Sequence, residues 1–465
     1  MATSAEITRA LSARAVRRSA RTTRPSLERP HRAPVGEVGI ALGRRADVFG
    51  APLYASLEEV VLAVAPPRSG KTAWLGNVVL DAPGACVATS TKADLYEHTW
   101  RLRAERGPVV VFNPEGLGGV ASTLRWSPLA GCADPQTAMS RAGYLLAGSP
   151  GAGGTQDRAF WEGTSYKLLR CLLYAAATEG RDMATVARWV ATAEAREAVD
   201  ILERHPGTPA GWTADTRQLL DAPDKTRESV LLSLALALEF MAAPALAAAV
   251  LPAPAGPTFD VTEFIAAGGT LYLLAAEHPH GSLAPLFTAL TGHLFEQAKS
   301  LASHRPAGRL DPPVLLALDE AALICPVPLE RWTSDGGGRG IPIVITVQSP
   351  SQLRDRWGDA AAETIWNNAA VKLIFGGLTV ADHLHEISAL CGQRDERVRS
   401  HSDNNGTRSH SLSLRRVPVF SPDALRTLGR MRVLILHRTT RPVLARIEPV
   451  WTRADVRRAV REAAP

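Results

Sequence analysis

Between residues 60 and 72 the chain reads Val60-Val-Leu-Ala-Val-Ala-Pro-Pro-Arg-Ser-Gly-Lys71-Thr72, an apolar run that breaks at two prolines and restarts as a helix-forming segment. A buried strand that turns into a helix through Ala65-Pro-Pro-Arg-Ser-Gly70-Lys71-Thr72 is the setting of a Walker A phosphate loop. The backbone N–H groups at the start of such a helix converge on one point, and the helix dipole adds positive potential there. Gly70 lets the backbone approach an anion closely. Lys71 is placed to reach β- and γ-phosphate oxygens and Thr72 to offer a hydroxyl to Mg2+, with Arg68 and Ser69 completing the loop. Ala65 stands at the first position, where Gly is commoner. Only six of the 52 basic residues are lysines, yet the loop carries one of them. A compact ammonium fits between phosphate oxygens where a planar guanidinium does not. The plain alternative is a strand-to-helix turn with an incidental lysine.

Further along, Val314-Leu-Leu-Ala-Leu318 runs into Asp319-Glu320, an apolar strand ending in two acids. The C-terminal edges of strands are where open α/β sheets bind ligands. In a P-loop ATPase the first acid holds the water shell of the metal and the second polarises the attacking water. Taken alone, the pair also reads as a helix cap. Ile343–Val347 is another buried strand, and Gln348 at its end is suited to orienting a lytic water, or is a turn residue. Gly336-Gly-Gly-Arg339-Gly340 sets an arginine on a glycine-rich hinge. It is either an arginine finger for a neighbouring subunit or a solvated loop residue.

The surrounding pattern alternates strands with helices, which indicates a doubly wound, parallel α/β sheet. Strands are expected at Val38–Leu42, Val60–Val64, Cys86–Thr89, Val109–Phe112, Thr270–Leu274, Val314–Leu318, Ile343–Val347 and Val371–Phe375, with edge strands at Arg432–His437 and Pro442–Ile447. Helices are expected over Lys71–Leu80 and Ala93–Glu105. From Asp134 to Val250 apolar residues recur at helical spacing and strand-like runs are scarce, so an all-helical insertion is expected, leaving through the Pro- and Ala-rich linker Leu251–Pro257. The resulting domains are an N-terminal arm (1–34), a nucleotide-binding domain (35–130 and 258–450), an all-α insertion (131–257) and a C-terminal helix or tail (451–465). Residues 397–411 read as a polar loop with a turn at Asp403-Asn-Asn-Gly406.

Composition narrows the class. An apolar share of 46% supports a sizeable core. The five cysteines, Cys86, Cys132, Cys171, Cys325 and Cys391, are far apart and form no C-x-x-C, against a disulfide framework or a zinc ribbon. No stretch approaches the roughly 18 apolar residues of a membrane span, and the arm lacks the apolar core of a signal peptide. The net charge of +6 is concentrated: residues 1–45 hold ten Arg against Glu6, Glu28 and Glu37, while the remaining 420 hold 42 basic and 43 acidic residues. The arm is expected to be mostly disordered, with a short basic helix near Ile7–Val16. It suits phosphate backbones or anionic lipid heads, or is a solvated leader.

The order of these motifs resembles that of the TraG/TraD-like coupling proteins of type IV secretion systems, within the FtsK–HerA branch of RecA-like motors. The resemblance covers roughly residues 36–430 and rests on APPRSGKT at 65–72, TSTKADLYEHT at 89–99, VVVFNPEG at 109–116, WSPL at 126–129, LDEAALI at 318–324, GRG at 338–340, VQSPSQL at 347–353 and NNAAVKLIFGG at 367–377. It implies a RecA-like P-loop NTPase with a mostly parallel central sheet and an inserted all-helical domain, assembled as a homo-hexamer with ATP at subunit interfaces around a single-stranded DNA channel. It implies ATP and Mg2+ as cofactors, with phosphates held by Arg68, Ser69, Gly70, Lys71 and Thr72, and the metal by Thr72 and Asp319. Glu320 would be the catalytic carboxylate, Gln348 the sensor and Arg339 the finger. The partners would be DNA, a relaxase or relaxosome protein and components of the secretion channel. Family members begin with two transmembrane helices, and this sequence has no such stretch. A cytoplasmic location, peripheral at the inner face of the cell membrane, is therefore expected. Other readings kept open are a docking platform for secreted proteins, another DNA translocase of the same superfamily, and a catalytically silent remnant.

Overall fold

The computed structural model describes residues 1–47, 50–149, 158–192, 195–251, 259–276, 283–404 and 407–462. The chain begins with helices α1 (Ser4–Ala10) and α2 (Ala13–Thr23), followed by strands β1 (Gly39–Arg45), β2 (Pro52–Ser56) and β3 (Val61–Val64), helix α3 (Lys71–Leu80), strand β4 (Cys86–Ser90), helix α4 (Asp94–Ala104) and strand β5 (Val109–Phe112). After a helical stretch come β6 (Thr270–Leu274), β7 (Leu315–Leu318), β8 (Ile343–Val347), β9 (Val371–Phe375), β10 (Gln393–Asn404), β11 (Thr407–Pro418), β12 (Arg432–His437) and β13 (Val443–Arg446). A last helix covers Ala454–Glu462. The fold class is α/β, and the chain divides into two compact units, Met1–Asp81 with Thr346–Arg457, and Ala82–Ile345 with Arg458–Pro465.

In the first unit the strand order is β2-β1-β13-β12-β9-β3. β3 and β9 run parallel, Val64 opposite Ile374, and the other neighbours are antiparallel. All four residues of β3 are buried, as a strand covered on both faces requires. β2 has no counterpart in the sequence reading: Pro52-Leu-Tyr-Ala-Ser56 is short and opens on a proline, which an edge strand tolerates.

The N-terminal arm is ordered, against expectation. Thr3 and Glu6 form a reciprocal capping box on α1, and Ser12 caps α2, each cap satisfying amides that the helix leaves open. Val16 and Ala20 of α2 are buried with Ala33 and Val38, and Leu27, Val35 and Tyr54 pack against them. The Tyr54 N–H donates to Leu11 O at 2.8 Å, tying the turn between the two helices to β2. The reading of 397–411 as a loop is also corrected: β10 and β11 pair antiparallel from Gln393 opposite Pro418 to Asn404 opposite Thr407. The tip of the expected turn, residues 405–406, and most of the linker, 252–257, lie outside the described residues.

In the second unit the strand order is β8-β7-β4-β6-β5, β8 entering it through Ile343–Ile345, and every pair is parallel. Every residue of β4, β6 and β7 is buried. Arg103 of α4 is fully buried beneath them. Its Nε donates to Thr270 Oγ1, Nη1 to Ala82 O and Nη2 to Gly84 O, each at 2.7 Å, which satisfies the donors of a cation taken out of water. Between Pro135 and Val250 the described residues form helices and no strand. Asp134 and Asp182 cap two of these helices through the N–H groups of Thr137 and Thr185. Gly292 of the helix Ala284–Ser303 lies against the Tyr144 ring of the helix Pro135–Gly148, so closely that a Cβ there would strike the ring.

Candidate functional site

The phosphate-loop residues and Gln348 lie in the first unit. β3 delivers the chain to Ala65, whose N–H donates to Val347 O at 2.9 Å, so the loop starts beside the residue that precedes Gln348. The loop then folds on itself: Ser69 N–H donates to Pro66 O at 3.2 Å. Arg68 (φ +62) and Gly70 (φ +112) both adopt left-handed conformations. The positive φ is what calls for glycine at position 70; a Cβ there would also lie 2.7 Å from Met431 Sδ, the far end of a flexible side chain that can give way. Gly377, at the end of the quoted IFGG run, closes another side, its Cβ position 3.8 Å from Pro66 Cβ.

α3 starts at Lys71, directly after Gly70, and no side chain caps it. In an α-helix the first-turn N–H groups find no carbonyl four residues back within the helix itself. The helix is held firmly: Trp74 Nε1 donates to Ala41 O at 2.8 Å, Asn77 Nδ2 donates to Glu448 O at 2.8 Å, and Gly76 admits Val450. Lys71 and Thr72 are half-buried and Arg68 is exposed. Ser69 Oγ is buried and has no hydrogen-bond partner among the described residues. A helix start without a side-chain cap, an unsatisfied hydroxyl, an ammonium and a backbone bared of side chain at Gly70 make a cradle for an anion. This donor set fits the phosphates of a nucleotide, with Thr72 available to its metal. Gln348 is half-buried, and its N–H donates to Gln352 Oε1 at 2.8 Å.

The two acids and Arg339 belong to the second unit. Asp319 and Glu320 are 2% and 6% exposed at the C-terminal end of β7. Thr89 Oγ1, from the neighbouring β4, donates to Asp319 O at 2.7 Å and fixes the backbone there. Glu320 has φ 49 and ψ 45, a left-handed conformation that costs a residue other than glycine on the order of 1–3 kcal/mol and gathers at functional sites. It leads into the four-residue helix Ala321–Ile324, and its side chain caps nothing. The helix-cap reading of these acids is therefore not realised at Glu320. Arg339 lies between the helix Leu329–Asp335 and β8. Its Nε donates to both carboxylate oxygens of Asp335 at 2.7 Å, and its carbonyl accepts from the Leu310 N–H at 2.9 Å.

Sequence reasoning missed Met431, Trp74 and Thr89. Met431 packs on Gly70 from a position more than 350 residues downstream and takes a positive φ of 61, and nothing in its local sequence announces this. Thr89 is a polar residue closing an apolar strand, a signal present in the sequence.

Residues 313–430 match a family model described as the TraM recognition site of TraD and TraG. The chain is 23% identical over 398 residues to a conjugal transfer protein TraG of Agrobacterium fabrum (strain C58 / ATCC 33970), an alignment covering 82% of this chain and 57% of the relative. It is 28% identical over 147 residues to a conjugal transfer protein TraG of Rhizobium radiobacter, covering 30% of this chain and 23% of that protein. The chain thus spans less than two thirds of the length of the curated relatives it matches. Among solved structures it is similar to the bacterial conjugative coupling protein TrwBdeltaN70 in a trigonal form with sulphate (TM-score 0.65, 19% identity, 87% of this chain and 89% of that one). It is likewise similar to the plasmid coupling protein TrwB in complex with ADP and Mg2+ (TM-score 0.63, 18% identity, the same coverage). These likenesses establish the RecA-like P-loop fold.

Proposed function

We propose that this chain, TraG/TraD-like in sequence and RecA-like in fold, is an ATP-driven coupling protein of conjugation that recruits a relaxase–DNA complex and pumps it toward a type IV secretion channel. The observation that carries the reading is the anion cradle at Arg68–Thr72, built at the start of a helix that no side chain caps. The solved relatives described with ADP and Mg2+, and with non-hydrolysable ATP and GTP analogues, support a nucleotide in that cradle.

Lys71 and the α3 amides hold the β- and γ-phosphate oxygens, with Arg68, Ser69 and Gly70 shaping the loop. Thr72 and Asp319 would hold the metal. Bound Mg2+ neutralises charge on the phosphate oxygens. Glu320 accepts hydrogen bonds from the attacking water and draws its proton, which a buried carboxylate in a fixed backbone conformation is suited to do. Gln348 orients that water. Arg339 acts as a finger in a neighbouring subunit of a homo-hexamer, exchanging Asp335 for the γ-phosphate of that neighbour. A heterologous contact of this kind closes into a ring. The described residues contain no helix long and apolar enough to cross a membrane, and we place the chain at the inner face of the membrane through other components.

The test is steady-state ATP hydrolysis with and without single-stranded DNA, read together with particle mass. The expected result is a rate raised by DNA, a stimulation that fades as salt rises, from a particle of several subunits. A rate indifferent to DNA, alongside tight binding of a secreted protein tail, would instead identify a docking platform.

A further inference from the structure

We propose that the arginine face of the N-terminal helix pair is a docking surface for the phosphate backbone of a nucleic acid, built from residues other than those of the nucleotide site. Arg14, Arg18 and Arg21 of α2 are all exposed. Their i, i+4, i+7 spacing sets them on one side of the helix, with successive rises of about 6 and 4.5 Å. Arg9, Arg29, His31 and Arg32 are exposed as well. Arg18 Nη2 donates to Arg9 O at 3.0 Å, which brings the end of α1 to α2, and Arg17 Nε donates to Ala33 O at 3.1 Å, which brings the turn Pro30–Arg32 against the same helix.

This surface is held in place and electrically unbalanced. The opposite side of α2, through Ala15, Val16, Ala20 and Thr23, is buried. Docking therefore orders little that is not already ordered, which lowers the entropic cost of binding. Among the described residues Arg24 pairs with Glu37, Arg44 with Glu448 and Arg45 with Asp47. The arginines at 9, 14, 18, 21, 29 and 32 have no carboxylate within ion-pair distance among the described residues. Crowded like charges of this kind disfavour the compact state and gain from a polyanion.

The chemistry favours phosphodiesters over a lipid surface. A helix that binds a bilayer does so by sinking an apolar face into it, and the apolar face of α2 is already spent on Val38, Ala33 and Tyr54. Met1 is the only exposed large hydrophobic residue among the described residues of this segment. The cations are all arginines, whose planar forks match phosphate oxygens in pairs.

Nucleotide-free protein titrated onto fluorescein-labelled oligo(dT) over a salt series tests this. Arg14→Gln/Arg18→Gln/Arg21→Gln is expected to weaken binding about tenfold or more at low salt and to reduce the log–log salt slope by about 2, three contacts at roughly 0.7 each. The corresponding triple lysine variant keeps the slope, and an unchanged thermal midpoint shows the fold intact. Lys71→Ala leaves this nucleotide-free binding as it was, so loss of the motor reading and loss of the docking surface are distinguishable. A triple glutamine variant that binds DNA with wild-type affinity and slope overturns the proposal. So does wild-type protein that floats with phosphatidylglycerol vesicles while the substitutions abolish flotation and leave DNA binding unchanged.

Discussion

Gly70 carries the clearest residue-level requirement in the chain. Its φ of 112 is the main constraint, and the 2.7 Å approach of the flexible Met431 Sδ to its Cβ position is a lesser one. Gly70→Ala is therefore expected to reduce nucleotide affinity by about tenfold or more, through backbone strain of roughly 1–2 kcal/mol at the position that must meet the phosphates. Adding Met431→Ala relieves the steric part and leaves the conformational part, so the double variant should recover only some of the affinity. Fluorescent-nucleotide titration measures both. Position 70 was legible in the sequence because the Walker motif fixes it, whereas Met431 was not, because its contact is made by the fold. The conformation of Glu320 was equally hidden: a left-handed φ at a carboxylate is imposed by its surroundings, and no propensity of glutamate foretells it.

Among the elements, those written as continuous apolar runs were the legible ones. β3, β5, β6 and α3 begin and end within a residue of the sequence reading, because continuous apolar runs bounded by Pro, Gly or charge leave little freedom. The N-terminal helices were read as mostly disordered because α2 presents only Ala and Val to the core, a weak stripe that becomes stable through tertiary contact with Val38 and Tyr54. The ribbon β10–β11 was read as a loop because it pairs with no further strand among the described residues, so no buried face writes an alternation into its sequence. The helix Ala284–Ser303 supplies a pH test. Burial, followed by the nearby Arg141 cation, pushes His293 down to about 4, and its ring stacks on Trp126 at 6.2 Å. The folded state thus holds His293 neutral where the unfolded chain is protonated. Its contribution is complete above the unfolded value of about 6.5 and is lost as pH falls toward the folded value, with an upper bound of about 3 kcal/mol. Denaturant unfolding at a series of pH values is expected to show stability falling across that window in the wild type and a flatter profile in His293→Gln.

At the scale of the whole molecule, the proposed function would couple chemistry to assembly through Arg339. In the single chain this residue is engaged by Asp335, an exposed pairing worth little by itself and hence readily exchanged for a phosphate. Arg339→Ala should act in trans. Mixed with Lys71→Ala protein, which supplies an intact finger but no phosphate grip, it should recover part of the ATPase activity that each variant lacks alone. Additive, unrecovered rates would restrict Arg339 to its own chain. The order of motifs carried the fold class and the resemblance, but which compact unit each motif falls in is not written in any one motif. The phosphate loop belongs to one unit and the two acids to the other. The central claim is that a nucleotide held by Lys71 is hydrolysed with Glu320 as the water-polarising base, and nucleotide binding measured beside turnover tests it most directly. The expected result is that Glu320→Gln binds ATP as tightly as the wild type and turns over at most about one-hundredth as fast, while Lys71→Ala loses both. Turnover at the wild-type rate in either variant would contradict the account.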